Sequence, residues 1–192
     1  MRLFLAGPLP EQLESTLLAR LAPLRRAAPQ VRWVHPGQLH FTLAFLGEVP
    51  ETSVASVVER LGPVAARHPA LALALRGAGC FGRLRRPTVL FAEVGGDRAG
   101  LASLADDVRA ALAPELGTGG DADRPFHPHL TVARTRLRQG DATLARCRAV
   151  LEDLDLGPFP LGHLVLFESQ LRSGGAVHTE VAQFALGGPR ST

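Results

Sequence analysis

Hydrophobic residues recur along this chain with two different periods, which divide it into helices and strands. A period of three to four residues predicts helices over residues 10–27, 51–67, 98–113 and 140–152. Shorter apolar or alternating runs predict strands over residues 2–6, 31–34, 39–46, 70–78, 87–94, 129–134, 161–168 and 176–186. Runs of strands broken by single helices favour an α+β fold with mainly antiparallel sheets.

Two glycine-rich segments separate the later elements. Residues 116–123 are rich in Gly and Asp and predict a surface loop, whereas Gly174-Gly175 predicts a hairpin turn. The sequence shows no interdomain linker and no low-complexity segment. We therefore expect one domain over residues 1–192.

The composition is typical of a globular protein. Of the 192 residues, 46% are hydrophobic and 20% are charged, which argues against extensive disorder. The longest apolar runs, such as residues 71–75, are far shorter than the roughly 20 residues that span a bilayer. The N-terminus lacks the apolar core of a signal peptide, and Cys80 and Cys147 do not make a disulfide framework or a metal cluster. We therefore expect a cytoplasmic protein that needs no membrane.

The high isoelectric point overstates how basic this protein is. The sequence pI is about 10.0, yet the formal net charge is only +3, and all 21 basic residues are Arg. Few groups titrate between the carboxylates and arginine, so a small positive excess moves the pI far upward. Local clusters at residues 83–86 and 134–138 are more informative, because the planar guanidinium group binds phosphate oxygens in pairs. On their own they favour nucleic acid only weakly.

Two short segments with the same pattern stand out, His40-Phe41-Thr42-Leu43 and His129-Leu130-Thr131-Val132. Successive side chains of a strand point to opposite faces of the sheet. The alternation predicts a buried face in the first segment made of Leu39, Phe41, Leu43 and Phe45, and an open face made of His40, Thr42 and Ala44. It likewise predicts a buried Leu130 and Val132, and an open face made of His129, Thr131 and Ala133. Each open face therefore offers an imidazole and a hydroxyl about 7 Å apart.

Two such faces turned toward each other would suit the cleavage of a phosphodiester. One neutral imidazole can take a proton from water, while the other, protonated, gives one to the leaving oxygen. An unperturbed His titrates near pH 6.5, so both forms are accessible near neutrality. The two Thr hydroxyls can hold the non-bridging oxygens. This chemistry requires no metal and no cofactor.

The surroundings of both segments resemble a known family. Residues 39–49 and 124–134 resemble the two signatures of the bacterial and archaeal RNA 2′,3′-cyclic phosphodiesterases, also called 2′-5′ RNA ligases, within the 2H phosphoesterase superfamily. Further similarities run in the family's order over nearly the whole chain, at residues 2–6, 33–34, 79–82 and 166–171.

The resemblance implies a fold, a reaction and a set of site residues. The fold would be two pseudo-symmetric lobes, each an antiparallel sheet with packed helices, around a central cleft. The reaction would convert RNA 2′,3′-cyclic phosphate ends to 2′-phosphates, with 2′-5′ ligation as its reverse. His129 would be the general base and His40 the general acid, and Thr42 and Thr131 would bind phosphate. Nothing in the sequence distinguishes the two histidines, so the opposite assignment stays open. The partners would be RNA ends or nucleotides that carry a 2′,3′-cyclic phosphate, bound by a monomer.

Two further residues have less certain placements. Arg134 matches a family arginine and is a candidate substrate contact, but strand alternation puts it opposite His129 unless the strand bends. His178 stands where the family often has Tyr, and we favour a surface residue over an edge contact there.

Two other classes of function remain as alternatives. One is a nucleotide- or RNA-binding module of the same fold that is catalytically weak. The other is a metal-dependent hydrolase that uses His40, His127 and His129, although no carboxylate accompanies them at matching positions.

Overall fold

The computed structural model describes residues 1–114, 126–172 and 175–187, which form helices and strands in mixed order. The helices are α1 (Glu11–Ala27), α2 (Val54–Arg67, after a short 3-10 turn), α3 (Arg98–Ala111) and α4 (Ala142–Val150). The strands are β1 (Arg2–Pro8), β2 (Arg32–Trp33), β3 (His40–Glu48), β4 (Leu71–Arg83), β5 (Arg86–Gly96), β6 (His129–Arg134), β7 (Asp155–Leu161), β8 (His163–Arg172) and β9 (Gly175–Ala185). The predicted loop at 116–123 and Gly174 of the predicted turn lie outside the described residues.

The strands form two sheets in which every pairing is antiparallel. One sheet has the order β3-β1-β8-β9 and the other the order β2-β6-β5-β4-β7. The predicted α+β class with antiparallel sheets is therefore confirmed. Each sheet contains one of the two His-x-Thr strands, β3 in the first and β6 in the second.

The two sheets are not the two halves of the chain. The first sheet joins strands from both ends of the sequence, because β1 pairs with β3 on one side and with β8 on the other. Conversely, β2 leaves the N-terminal segment and pairs with β6 in the second sheet. Along the described strands the chain passes between the two sheets four times, which ties them together.

Strand β7 was not predicted, and its sequence contains Pro158 and Pro160. The strand lies at the edge of the second sheet, where it pairs with β4 alone. Two prolines separated by one residue both point their missing N–H groups to the same side, so both can face solvent without interrupting the ladder. They also prevent another strand from adding to this edge.

One continuous core holds the sheets and helices together. Helix α3 contacts both β3 and β4, and it buries Leu101, Leu104 and Val108 completely. Between the sheets, the rings of Phe41 and Phe159 meet edge to face with centroids 6.4 Å apart. Full burial of a Leu or Phe side chain contributes about 1.5–3 kcal/mol. None of the helices in the described ranges has the length and hydropathy needed to cross a bilayer.

Candidate active site

A pocket of about 420 Å³ opens where β3 and β6 lie side by side, and strands from both sheets line it. All five predicted site residues line this pocket: His40, Thr42, His129, Thr131 and Arg134. The residues around it include three arginines and, among those that the structure describes, no Asp or Glu. Such a pocket favours an anion.

A bulge occurs at the same point of both His-x-Thr strands. In β3 the pairing with β1 shifts between Thr42 and Ala44, and in β6 the pairing with β5 shifts between Thr131 and Ala133. In each strand one extra residue is inserted directly after the Thr, which reverses the alternation beyond it. The two strands thus share both the His-x-Thr sequence and the position of the bulge.

The bulges change which residues face the pocket. Ala44 and Ala133 are buried, although the alternation predicts them on the open faces. Phe45 and Arg134, each five residues after its His, line the pocket instead. The prediction that Phe45 belongs to the core face is therefore wrong. Arg134 reaches the pocket because β6 departs from regular alternation, which is the exception that the sequence analysis allowed for this residue. The Arg134 guanidinium donates from Nη2 to Thr131 Oγ1 at 3.4 Å.

The two imidazole rings are held in the same way. His40 Nδ1 lies 2.8 Å from the carbonyl oxygen of Gln38, and His129 Nδ1 lies 2.7 Å from that of His127. A carbonyl oxygen only accepts, so Nδ1 carries the proton in both rings. Nε2 is therefore the atom that takes up or gives away a proton in each of them.

Aromatic rings pack against both histidines. The ring of His40 lies 4.8 Å from that of Phe4 and 6.2 Å from that of Phe167, centroid to centroid. The ring of His129 lies 4.8 Å from that of Phe81 and 5.4 Å from that of Phe91. These contacts leave each imidazole little freedom to turn.

Gly79 makes room for one of these rings. A Cβ at this position would lie 2.4 Å from the ring of Phe91, which no real side chain tolerates. The glycine in the segment 79–82 therefore has a packing role, because Phe91 in turn contacts His129.

The electrostatic surroundings give His40 a preferred protonation state. Burial is the main effect that lowers the pKa of His40, from its ordinary value of 6.5 to about 4. The charges of His178, Arg134 and His129 lower this pKa further, and the hydrogen bond to Gln38 opposes them. In the ligand-free protein His40 is therefore neutral at pH 7.

His178 and Gln38 also line the pocket, although the sequence analysis favoured a surface position for His178 and did not name Gln38. The ring of His178 meets His40 edge to face at 5.4 Å and Phe4 at 4.9 Å, so the preference for a surface residue is wrong. Its Nδ1 is buried without a hydrogen-bond partner in the described part of the chain, so packing holds the ring. Gln38 donates from Nε2 to the Ala176 carbonyl at 2.7 Å, which fixes the segment whose backbone holds His40.

His127 has a supporting place outside the pocket. Its ring packs on Phe81 and Phe91, and its carbonyl holds His129. Within residues 1–114, 126–172 and 175–187, no three side chains of the types His, Cys, Asp or Glu are grouped so as to hold a metal ion. The metal-dependent alternative thus lacks a ligand set among these residues.

The chain is similar to proteins of known family over nearly its whole length. The sequence model of the 2′-5′ RNA ligase superfamily matches residues 9–172. An RNA 2′,3′-cyclic phosphodiesterase of Thermus thermophilus is 33% identical, with 98% of this chain and 91% of that protein covered. A solved Thermus thermophilus protein superposes with a TM-score of 0.82 at 31% identity, over 99% of this chain and all of the other. Escherichia coli LigT in complex with 3′-AMP superposes with a TM-score of 0.74 at 27% identity, over 96% and 97% of the two chains.

Proposed function

We propose that this chain, which belongs to the 2′-5′ RNA ligase superfamily, hydrolyses RNA 2′,3′-cyclic phosphate ends to 2′-phosphates. One observation carries the proposal: two His-x-Thr pairs from different sheets line one arginine-bearing pocket. The similarity to the RNA 2′,3′-cyclic phosphodiesterase of Thermus thermophilus supports the choice of reaction.

In the proposed reaction, His129 and His40 act as base and acid. Nε2 of His129 removes a proton from water, and the water oxygen forms a bond to phosphorus. The bond between phosphorus and the 3′-oxygen breaks, and His40 gives its proton to that oxygen. The 2′-oxygen keeps the phosphate, and the two histidines have exchanged protonation states. Each transfer of this kind contributes about 10²–10⁴-fold to the rate.

His40 has to become protonated before it can act as the acid. Its pKa is low in the ligand-free pocket, largely because burial disfavours the imidazolium. A bound phosphate diester carries a negative charge, and an opposite charge nearby stabilises the imidazolium. The substrate thus supplies the charge that prepares its own general acid.

Thr42, Thr131 and Arg134 are the proposed phosphate ligands. The hydroxyls of both threonines stand on the pocket face beside the histidines, where they can donate to the non-bridging oxygens. Arg134 adds a fixed positive charge on the same oxygens, and its hydrogen bond to Thr131 orients both groups. The same groups serve the reverse reaction, in which a 5′-hydroxyl replaces water and a 2′-5′ linkage forms.

We further propose that one copy of the chain, a single bilobal domain in the cytoplasm, is sufficient. Both His-x-Thr pairs come from the same chain, and one core spans both sheets. Light scattering during gel filtration tests this, since a monomeric mass of 20.4 kDa is expected together with full activity.

Product analysis tests the proposed reaction. An oligoribonucleotide that ends in a 2′,3′-cyclic phosphate is incubated with the protein, and the terminal phosphate is located by enzymatic digestion and chromatography. The proposal expects a 2′-phosphate. A 3′-phosphate would mean that the 2′-oxygen leaves, and tight binding without turnover would favour the alternative of a catalytically weak binding module.

A further inference from the structure

Five exposed arginines on two neighbouring segments lie outside the pocket and take no part in the proposed chemistry. Three of them come from the β4–β5 hairpin and two from the segment between β6 and α4, and we refer to them as the arginine surface: Arg83, Arg85, Arg86, Arg136 and Arg138. In the described part of the chain, none of the five forms an ion pair with a carboxylate.

The two segments of this surface are held together by the backbone. Thr135 donates its N–H to the Thr88 carbonyl at 3.0 Å, and Asp141 donates its N–H to the Pro87 carbonyl at 2.9 Å. Gly140 packs so closely that a Cβ there would lie 1.8 Å from the Arg86 carbonyl oxygen. The segment after β6 therefore runs along the start of β5, next to the hairpin tip.

The part of the arginine surface formed by Arg136 and Arg138 adjoins the pocket. It follows directly on Arg134, which lines the pocket and lies opposite Val89 of β5 and Arg32 of β2. From Val89 to Arg86 the strand covers three residues, or about 10 Å. A few linked nucleotides can span such a distance.

Apolar side chains stand between these arginines. Leu84 at the hairpin tip is 93% exposed, and Leu137 between Arg136 and Arg138 is 46% exposed. Guanidinium groups match phosphates, whereas exposed apolar groups beside them match the faces of nucleobases. Two carboxylates lie near these arginines. Asp141 caps α4, where it accepts from Thr143 N at 2.8 Å, and its charge also interacts with that of Arg86. Glu93 lines a small cavity together with Arg83.

We propose that the arginine surface binds the phosphates of single-stranded RNA upstream of the terminal nucleotide. The inference rests on the proposed function: a 2′,3′-cyclic phosphate ends the 3′ side of a strand, so the remaining chain must leave the pocket in the 5′ direction. The surface then selects polynucleotide substrates over mononucleotides, while the pocket carries out the chemistry on both.

The test compares two double variants of equal charge change. Arg136→Gln/Arg138→Gln removes part of the arginine surface, and Arg20→Gln/Arg67→Gln removes two exposed arginines of α1 and α2 that do not line the pocket. Each protein is assayed with a cyclic-phosphate octanucleotide and with a 2′,3′-cyclic mononucleotide, at several salt concentrations.

The expected effect is confined to the longer substrate. For Arg136→Gln/Arg138→Gln, KM for the octanucleotide rises about 10-fold. A plot of the logarithm of the binding constant against the logarithm of the salt concentration becomes less steep by about 0.7 for each phosphate that is no longer neutralised. The rate with the mononucleotide stays that of the unmodified protein. The control variant changes neither KM for the octanucleotide nor the rate with the mononucleotide. Equal effects on both substrates, or equal effects of both variants, would overturn the inference.

Direct binding keeps this test separate from the proposed function. Fluorescence anisotropy measures binding of a labelled octaribonucleotide with a 2′-phosphate end, which needs no turnover. Weaker binding to Arg136→Gln/Arg138→Gln than to the control supports the inference even if no hydrolysis is found. Competition by a glutamate peptide of the same charge, at the same concentration as RNA, would overturn it in favour of an acidic protein partner.

Discussion

The imidazole rings of His40 and His178 stand edge to face, with centroids 5.4 Å apart and planes at 90°. They come from strands β3 and β9, the opposite edges of the first sheet. Phe4 contacts both rings, at 4.8 and 4.9 Å, and packs beside the pair. The histidine that is our proposed acid therefore has a second ionisable ring as a neighbour.

Replacing His178 by Phe should raise the pKa of His40. The substitution keeps the packing against Phe4 but removes a positive charge that opposes protonation of His40. Burial remains the larger effect, so the pKa should stay below 6.5. NMR titration of the His40 ring measures this. The matched control is His35→Phe, in which a pocket-lining ring without a ring contact to His40 is changed. An unchanged or lower pKa in His178→Phe would contradict the electrostatic role of His178.

Binding of an anion should raise the pKa of His40 from about 4. The negative charge of inorganic phosphate or of a 2′-phosphorylated nucleotide favours the imidazolium. The same NMR titration, repeated at saturating ligand, measures the shift. If the pKa stayed near 4 in the complex, His40 could not serve as the acid at neutral pH. The acid would then be His129, and the two roles would be exchanged.

Acid should weaken the fold partly through His40. Its pKa is about 4 in the folded chain and ordinarily 6.5, so between these values the unfolded chain binds more protons. The contribution of neutral His40 to the free energy of unfolding is complete above pH 6.5, and it is lost as the pH falls from 6.5 to about 4. Because the ring is partly exposed in the pocket, the loss should be about 1–2 kcal/mol. Urea unfolding at pH 7 and pH 4.5 measures it, and His40→Gln should lose correspondingly less. Equal losses would refute this linkage.

Hydrolysis of a cyclic-phosphate substrate should survive a chelator. The proposed base and acid are imidazoles, and the proposed phosphate ligands are hydroxyls and guanidinium groups, so each step has a protein group to carry it. Turnover is compared before and after dialysis against EDTA, with elemental analysis of the protein. A loss of activity that zinc or another divalent ion restores would favour the metal-dependent alternative.

Much of the fold could be predicted because local periodicity and burial agree in most elements. Helix α3 begins and ends within two residues of its prediction, since its apolar stripe faces both sheets. Strand β7 could not be predicted in this way, because its prolines are tolerated only at a sheet edge, which is a property of the assembled sheet.

The four His and Thr side chains of the site could be predicted, but their neighbours beyond the bulges could not. Alternation holds from His40 to Thr42 and from His129 to Thr131, and it fails where an extra residue enters the ladder. The adjacent apolar pairs Leu43-Ala44 and Val132-Ala133 are a weak signal of this reversal. His178 was assigned to the surface for a different reason, because it approaches His40 through sheet pairings between distant parts of the chain.

The most direct measurement is the turnover of a 2′,3′-cyclic-phosphate oligonucleotide by His40→Ala and His129→Ala. Each variant should retain its fold and hydrolyse the substrate about 10²–10⁴-fold more slowly, because each lacks one proton transfer. His163→Ala, which changes a histidine outside the pocket at the start of β8, is the control and should keep its activity. Nearly unchanged turnover in either His40→Ala or His129→Ala would contradict acid-base catalysis by this pair.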